Sequence, residues 1–173
     1  PLDIQQEDMH IQGHALELRV YAEDPYQNFL PSVGRLEVYQ RPDGANVRLD
    51  DGYEAGMEIP IFYDPMIAKL ITYGETREAA IKYMLEAIAD YRIEGVATTL
   101  PFGTFVFRHP AFISGDFDTH FVQHHFQPES IREDQEKEAF IAAQLGARLM
   151  NAYVSKLNLP DKGSGQWWEQ RRP

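Results

Sequence analysis

The sequence predicts an α+β fold, a mostly antiparallel sheet with helices following it. Three observations carry that expectation. Residues 14–22 (His-Ala-Leu-Glu-Leu-Arg-Val-Tyr-Ala) alternate and are rich in β-favouring side chains. Several short β-like runs separated by turn residues follow them. After Gly74 the apolar spacing changes from a period of two to a helical one.

Residues 1–12 are polar and read as an entry segment, and 14–22 read as a buried strand with Arg19 in its middle. Asn28–Ser32 forms a turn around Pro31. Residues 34–39 and 46–49 are short strand candidates joined through Arg41-Pro42-Asp43-Gly44, where Pro presets φ and Gly accepts a positive φ. Residues 58–63 and 67–73 continue the β pattern across an interruption at Asp64-Pro65. Thr76 is placed to cap a helix whose apolar positions, Ala80, Tyr83, Met84, Ala87, Ile88 and Tyr91, recur through Ile93 until Gly95 ends it. A second helix starts at Thr98-Thr99-Leu100-Pro101, presents Phe102, Phe105 and Val106, and stops before His109-Pro110. Residues 116–126 are aromatic and of undecided type. From about Glu129 the composition becomes charged, and Phe140, Ile141, Leu145, Leu149 and Tyr153 mark one face of a terminal docking helix. Asp161–Gly165 reads as a stop, and Trp167-Trp168 with Arg171-Arg172 as an adhesive cationic end. The expected division is 1–126 for the main domain and 127–173 for a helical extension and tail.

With 173 residues the chain is long enough to bury roughly 70% of its unfolded surface. Hydrophobic residues make up 43%, which places it among packed globular chains rather than disordered ones. A formal charge of -11 disfavours nucleic acid and anionic lipid as partners, and no apolar run is long enough to span a membrane. The lack of cysteine excludes disulfides and thiolate chemistry and fits a cytoplasmic protein. Pro1 opens the chain without Met or a leader, so a piece of a longer protein is expected.

Arg19 is the leading candidate for chemistry. A guanidinium held on a strand offers fixed donors to a carboxylate, phosphate or developing oxyanion. The competing reading is an internal ion pair with Glu17, Glu23 or Asp64. Asp64 and Lys69 bracket an apolar run, so Asp64 could orient an arginine and Lys69 could meet an anion. They could equally be a turn aspartate and a lysine with its stem buried. His120, His124 and His125 lack an HExxH pattern, and a metal site is not expected. No phosphate-binding glycine loop and no GxSxG elbow occurs.

Several words of the sequence nevertheless fall in a recognisable order. They are Gly13-His14-Ala15 through Arg19, Ala22-Glu23-Asp24-Pro25, Phe29-Leu30-Pro31-Ser32-Val33-Gly34 and Tyr63-Asp64-Pro65-Met66-Ile67-Ala68-Lys69-Leu70. Tyr73-Gly74-Glu75-Thr76-Arg77, Ile93-Glu94-Gly95-Val96-Ala97-Thr98-Thr99 and His109-Pro110-Ala111-Phe112 complete the set. Across about residues 11–126 the chain resembles the C-terminal domain of the biotin carboxylases, ligases of acyl-CoA carboxylases such as acetyl-CoA or propionyl-CoA carboxylase, and of related enzymes. The resemblance implies that ATP and bicarbonate form carboxyphosphate and that the carboxyl group passes to biotin on a carrier protein. It implies that Arg19 stabilises the enolate oxygen of biotin, that Asp64 lies near the biotin pocket, and that Lys69 belongs to the same motif and contributes to substrate binding. Arg48 and Asp90 are implied as a charged pair at a homodimer contact, against the reading that both are surface charges. ATP and Mg or Mn would be bound by an upstream ATP-grasp domain outside this chain. The further implied partners are the biotin carboxyl carrier protein and a carboxyltransferase subunit, with a place in fatty acid metabolism. Neither Lys137 nor Lys156 has the neighbours of a biotin attachment site. The fragment is therefore expected to be inactive alone. The alternative is a non-catalytic assembly module that holds carboxylase subunits together.

Overall fold

A computed structural model describes residues 3–60 and 62–156. They fall in two compact units divided between Arg132 and Glu133. The expected stop at 161–165 and the residues Trp167, Trp168, Arg171 and Arg172 lie outside the described residues, as do the side chains of Lys137 and Lys156.

The first unit is built on a three-stranded antiparallel sheet of β1 (His14–Tyr21), β8 (Met66–Gly74) and β6 (Val47–Asp51), in the order β1-β8-β6. Three two-stranded antiparallel pairs surround it: β2 (Glu23–Asp24) with β3 (Leu30–Pro31), β4 (Gly34–Arg35) with β7 (Glu58–Ile59), and β5 (Val38–Gln40) with β9 (Arg92–Glu94). The helices are α1 (Arg77–Asp90), α2 (Leu100–Arg108), α3 (Pro110–Ser114), α4 (Phe121–His125) and α5 (Pro128–Lys156). The expected class, α+β with an antiparallel sheet and following helices, is the observed one.

β8 is the longest strand and sits in the centre of the sheet, which is why it reads as Met-Ile-Ala-Lys-Leu-Ile-Thr-Tyr-Gly rather than as a strict alternation. Leu70 and Thr72 are fully buried, and the Thr72 hydroxyl donates to the Ala80 carbonyl at 3.0 Å, tying the strand to α1. α1 starts where Thr76 accepts from the Ala79 amide at 3.2 Å, and it buries Ala80, Ile81, Met84, Ala87 and Ile88 at the spacing of one helical face.

Four expectations are corrected. α1 ends at Asp90 and not at Ile93, because the chain leaves it to form β9, where Ile93 pairs with Tyr39. A polar anchor sits at that exit: the Tyr39 hydroxyl lies 2.6 Å from that of Tyr91 and 2.9 Å from Asp51, which also pairs with Arg41 at 2.7 Å. Burial pushes the Tyr91 hydroxyl up to about 12, so this anchor keeps its proton. Gly95 therefore does not end a helix. It has φ +103°, and a Cβ there would lie 2.0 Å from the Arg35 carbonyl, so β9 approaches the β4–β5 segment closely enough to require glycine. The candidate strand over 34–39 is two strands, β4 and β5, and β5 does not form a hairpin with β6 across Pro42-Asp43-Gly44, since the two belong to different sheets. Finally, α2 turns Leu100, Gly103 and Phe107 inward rather than Phe102, Phe105 and Val106. Gly103 leaves room for Leu18, and Phe102 and Phe105 instead meet Phe126 at 4.9 and 5.4 Å in a separate aromatic cluster that includes Phe29.

Residues 121–125 of the undecided aromatic segment are helical, forming α4. In the second unit, Phe140, Ile141, Leu145, Leu149 and Tyr153 of α5 are all more than half exposed.

Candidate functional site

β1 presents Leu16, Leu18 and Val20 to the core and turns Glu17, Arg19 and Tyr21 the other way. Half of the strand is thus open, which corrects the expectation of a buried arginine: the Arg19 side chain is 59% exposed. Its Nε donates to Glu17 at 3.3 Å. Hydrogen bonding to Tyr21 first and to Glu17 second raises the guanidinium above its ordinary pKa, so it is a permanent cation. Two acceptors do not exhaust its five N–H donors.

The pairing register places charges in rows across the sheet. Arg19 is opposite Lys69, and Lys69 is opposite Asp50 on the far side. Glu17 is opposite Ile71, which is opposite Arg48. Arg48 clamps Asp50 through two bonds of 2.9 Å, and these hold the Asp50 carboxyl below the usual range, with Lys69 acting in the same direction. Beside this face, at the β6–β8 end, a recess of about 570 Å³ is lined by Asp50, Asp51, Met66 and Lys69 among others.

Asp64 is exposed and accepts from the Met66 amide at 3.0 Å in the turn that enters β8, the behaviour of a turn aspartate. No ion pair joins it to Arg19; Glu17 holds the arginine instead. Asp64 acts on Glu23, whose carboxyl is pushed up by burial first and by the Asp64 charge second. The turn stays close to β1 because the Ala22 amide donates to the Pro65 carbonyl at 2.8 Å.

Arg48 and Asp90 are not brought together within the chain. Arg48 is spent on Asp50 on β6, whereas Asp90 ends α1, the helix packed on the core side of β8. His120 and His124 do share a face of α4, with rings 5.9 Å apart, and His120 Nδ1 lies 3.4 Å from Asp118. Among the described residues no group of three or more His, Cys, Asp or Glu side chains is placed to hold a metal ion.

Sequence reasoning missed Thr99 altogether as a site residue. It precedes α2 at the N-cap position but makes no side-chain cap. Its hydroxyl accepts from the Tyr21 amide at 3.0 Å and donates to the Arg19 carbonyl at 3.2 Å. Nothing in the sequence signals this, since a threonine before Leu100-Pro101 reads as an ordinary cap. Of the three acids considered as partners of Arg19, Glu17 makes the pair, whereas Glu23 faces the Asp64 charge.

The biotin carboxylase C-terminal domain family matches residues 17–124. Biotin carboxylase 1 of Bacillus subtilis is 45% identical over 122 residues, covering 70% of this chain and 27% of that protein. The mitochondrial propionyl-CoA carboxylase alpha chain of Mus musculus is 48% identical over 124 residues, covering 70% of this chain and 17% of its own. The biotin carboxylase domain dimer of Hydrogenobacter thermophilus 2-oxoglutarate carboxylase, solved with MgADP, ADP and bicarbonate, superimposes with a TM-score of 0.70 at 37% identity, covering 72% of this chain and 27% of that one. The chain therefore spans between 17% and 27% of the two curated relatives' length.

Proposed function

Because this chain belongs to the biotin carboxylase C-terminal domain family, we propose that it forms the biotin-facing part of a ligase that uses ATP and bicarbonate to carboxylate biotin on a carrier protein. The observation that supports this most is Arg19, a permanent cation on a paired strand, braced by Glu17 and Tyr21 yet more than half exposed. The ureido oxygen of biotin gains negative charge as the ring nitrogen loses its proton. A guanidinium fixed in advance stabilises that charge without reorganising during the step. Lys69, across the strand pair from Arg19, adds positive potential to the same face. Asp64 and Glu23 form the acidic border at the end of β1 and β8.

ATP and its Mg or Mn ion are assigned to an ATP-grasp domain outside this chain, so the fragment alone catalyses nothing. The boundary is kept at 126/127, just ahead of α5, which starts at Pro128. Arg48 and Asp90 are assigned to self-association, as a charged pair between two copies of the domain. Biotin carries the carboxyl group to a carboxyltransferase subunit, which passes it to an acceptor such as an acyl-CoA thioester. A second reading, an assembly module without chemistry, is favoured by one observation, the uncovered apolar row along α5.

The deciding experiment is ADP release by the intact parent enzyme, dependent on biotin and bicarbonate, with and without Arg19→Ala. A loss of at least about tenfold with unchanged circular dichroism is expected, from the usual cost of removing one oxyanion donor. Undiminished release would overturn the role of Arg19, and no release from the folded parent would favour the assembly module.

A further inference from the structure

Arg19 sits beside an irregularity in the pairing of its strand with β8. The register runs Arg19 to Lys69 and Val20 to Ala68, then skips Ile67 so that Tyr21 is opposite Met66. A bulge of this kind weakens the ladder locally and re-aims the neighbouring side chains. Opposite the bulge, on the edge of β1 away from β8, lies Thr99. Besides its two hydroxyl bonds, its amide donates to the Tyr21 carbonyl at 3.1 Å. One residue thus holds the backbone on both sides of the bulge, 80 positions from Arg19 in sequence.

We propose that Thr99 is a positioning residue for Arg19: its hydroxyl locks the end of β1 that faces the β8 bulge so that the guanidinium leaves the strand in one direction. The proposal rests on the reading of Arg19 as the group that meets biotin.

Three features support it. The hydroxyl accepts from one backbone group and donates to another, so its rotor is fixed. Thr99 is 5% exposed, so water does not compete for those bonds. And the segment that carries it is itself anchored, because the Ala97 amide donates to Ser32 Oγ at 2.9 Å while the Ser32 amide donates to the Ala22 carbonyl at 2.8 Å. The brace is therefore fixed at both ends, and it acts on β1 where the pairing with β8 changes register.

Valine has nearly the shape of threonine without the hydroxyl. Thr99→Val removes two of the three bonds and leaves the amide bond to Tyr21. In the intact parent enzyme we expect kcat for biotin-dependent turnover to fall about tenfold, in line with small misplacements of a catalytic group. KM for ATP is expected to stay unchanged, and Thr99→Ser to restore turnover. In an Arg19→Ala background, Thr99→Val is expected to cost nothing further, because a brace has no effect once its load is gone. An equal loss in both backgrounds, or no loss in either, would overturn the proposal. If Arg19→Ala alone leaves turnover intact, the reading of Arg19 falls and the brace with it. Should Thr99→Val not fold, Thr99→Cys, of similar size with weaker hydrogen bonding, is judged by the same double-variant comparison.

Discussion

Gly95 offers the sharpest test of the packing described above. A Cβ at this position would stand 2.0 Å from the Arg35 carbonyl oxygen, 3.0 Å from the Glu37 amide nitrogen and 3.2 Å from the Arg35 carbonyl carbon. All three are backbone atoms, so no side chain can swing aside. The chain must move by about 1.5 Å to restore ordinary contact distances. The same short segment carries the Glu37 amide bond to the Glu94 carbonyl at 2.8 Å and the fully buried Leu36. Gly95→Ala therefore adds left-handed strain of about 1–2 kcal/mol and puts a backbone hydrogen bond worth a further 1–3 kcal/mol at risk, roughly 2–5 kcal/mol together. Against a total stability of about 5–15 kcal/mol this is severe, and it corresponds to a fall in Tm of roughly 4–20 °C for a chain of this size. Gly115 supplies the control, because its φ is also positive, at +81°, but a Cβ there meets nothing within 4 Å. Thermal and urea unfolding of both variants should show Gly95→Ala losing clearly more than Gly115→Ala at an unchanged urea slope. Equal losses would mean that the close approach of β9 to the β4–β5 segment is absent in solution.

Two further perturbations address the charged surface. Arg48→Glu places a second acid beside Asp50 and removes the clamp; self-association of the parent should weaken, and a sedimentation profile identical to wild type would remove Arg48 from the contact. Glu23 has its folded pKa above its unfolded value, so the native state binds the extra proton and stability falls as pH rises through the window starting near the ordinary carboxylate range. Glu23→Gln should accordingly flatten the descending limb of the stability–pH curve above that range; a variant curve parallel to wild type would show that burial of Glu23 carries no such penalty.

Much of this fold could be read from residue patterns because the patterns were local. β1 shows its alternation, α1 its Thr76 cap and apolar face, and α2 its Leu-Pro start. What could not be read was decided by partners far away. Ile93 continues the helical spacing of α1, yet it belongs to a strand because β5 offers it a ladder and the Tyr39–Tyr91–Asp51 anchor draws the chain out of the helix. The pairing of β5 with β9 rather than β6 is likewise a competition between segments that no turn signal reveals. At the site, Arg19 was singled out correctly as a strand cation, but its exposure was not foreseen because alternation says that half of a strand faces outward without saying which face meets a second layer. The Glu17 pair was among the alternatives, whereas the link from Asp64 to Glu23 and the contribution of Thr99 depend on chain crossings invisible at short range.

The order of the sheet also has a consequence in time. β1 is synthesised well before β8, the strand that pairs with it, and Thr99 follows Tyr21 by 78 residues. At ordinary elongation rates of about 5–20 residues per second, the nascent strand waits roughly 4–16 s for its brace to be made. Until β8 and α1 have been made, earlier in that interval, Leu16, Leu18 and Val20 have neither a neighbouring strand nor a helix to cover them. The segment that carries Arg19 is thus open to premature pairing on the ribosome, and its productive capture depends on the timely arrival of the central strand.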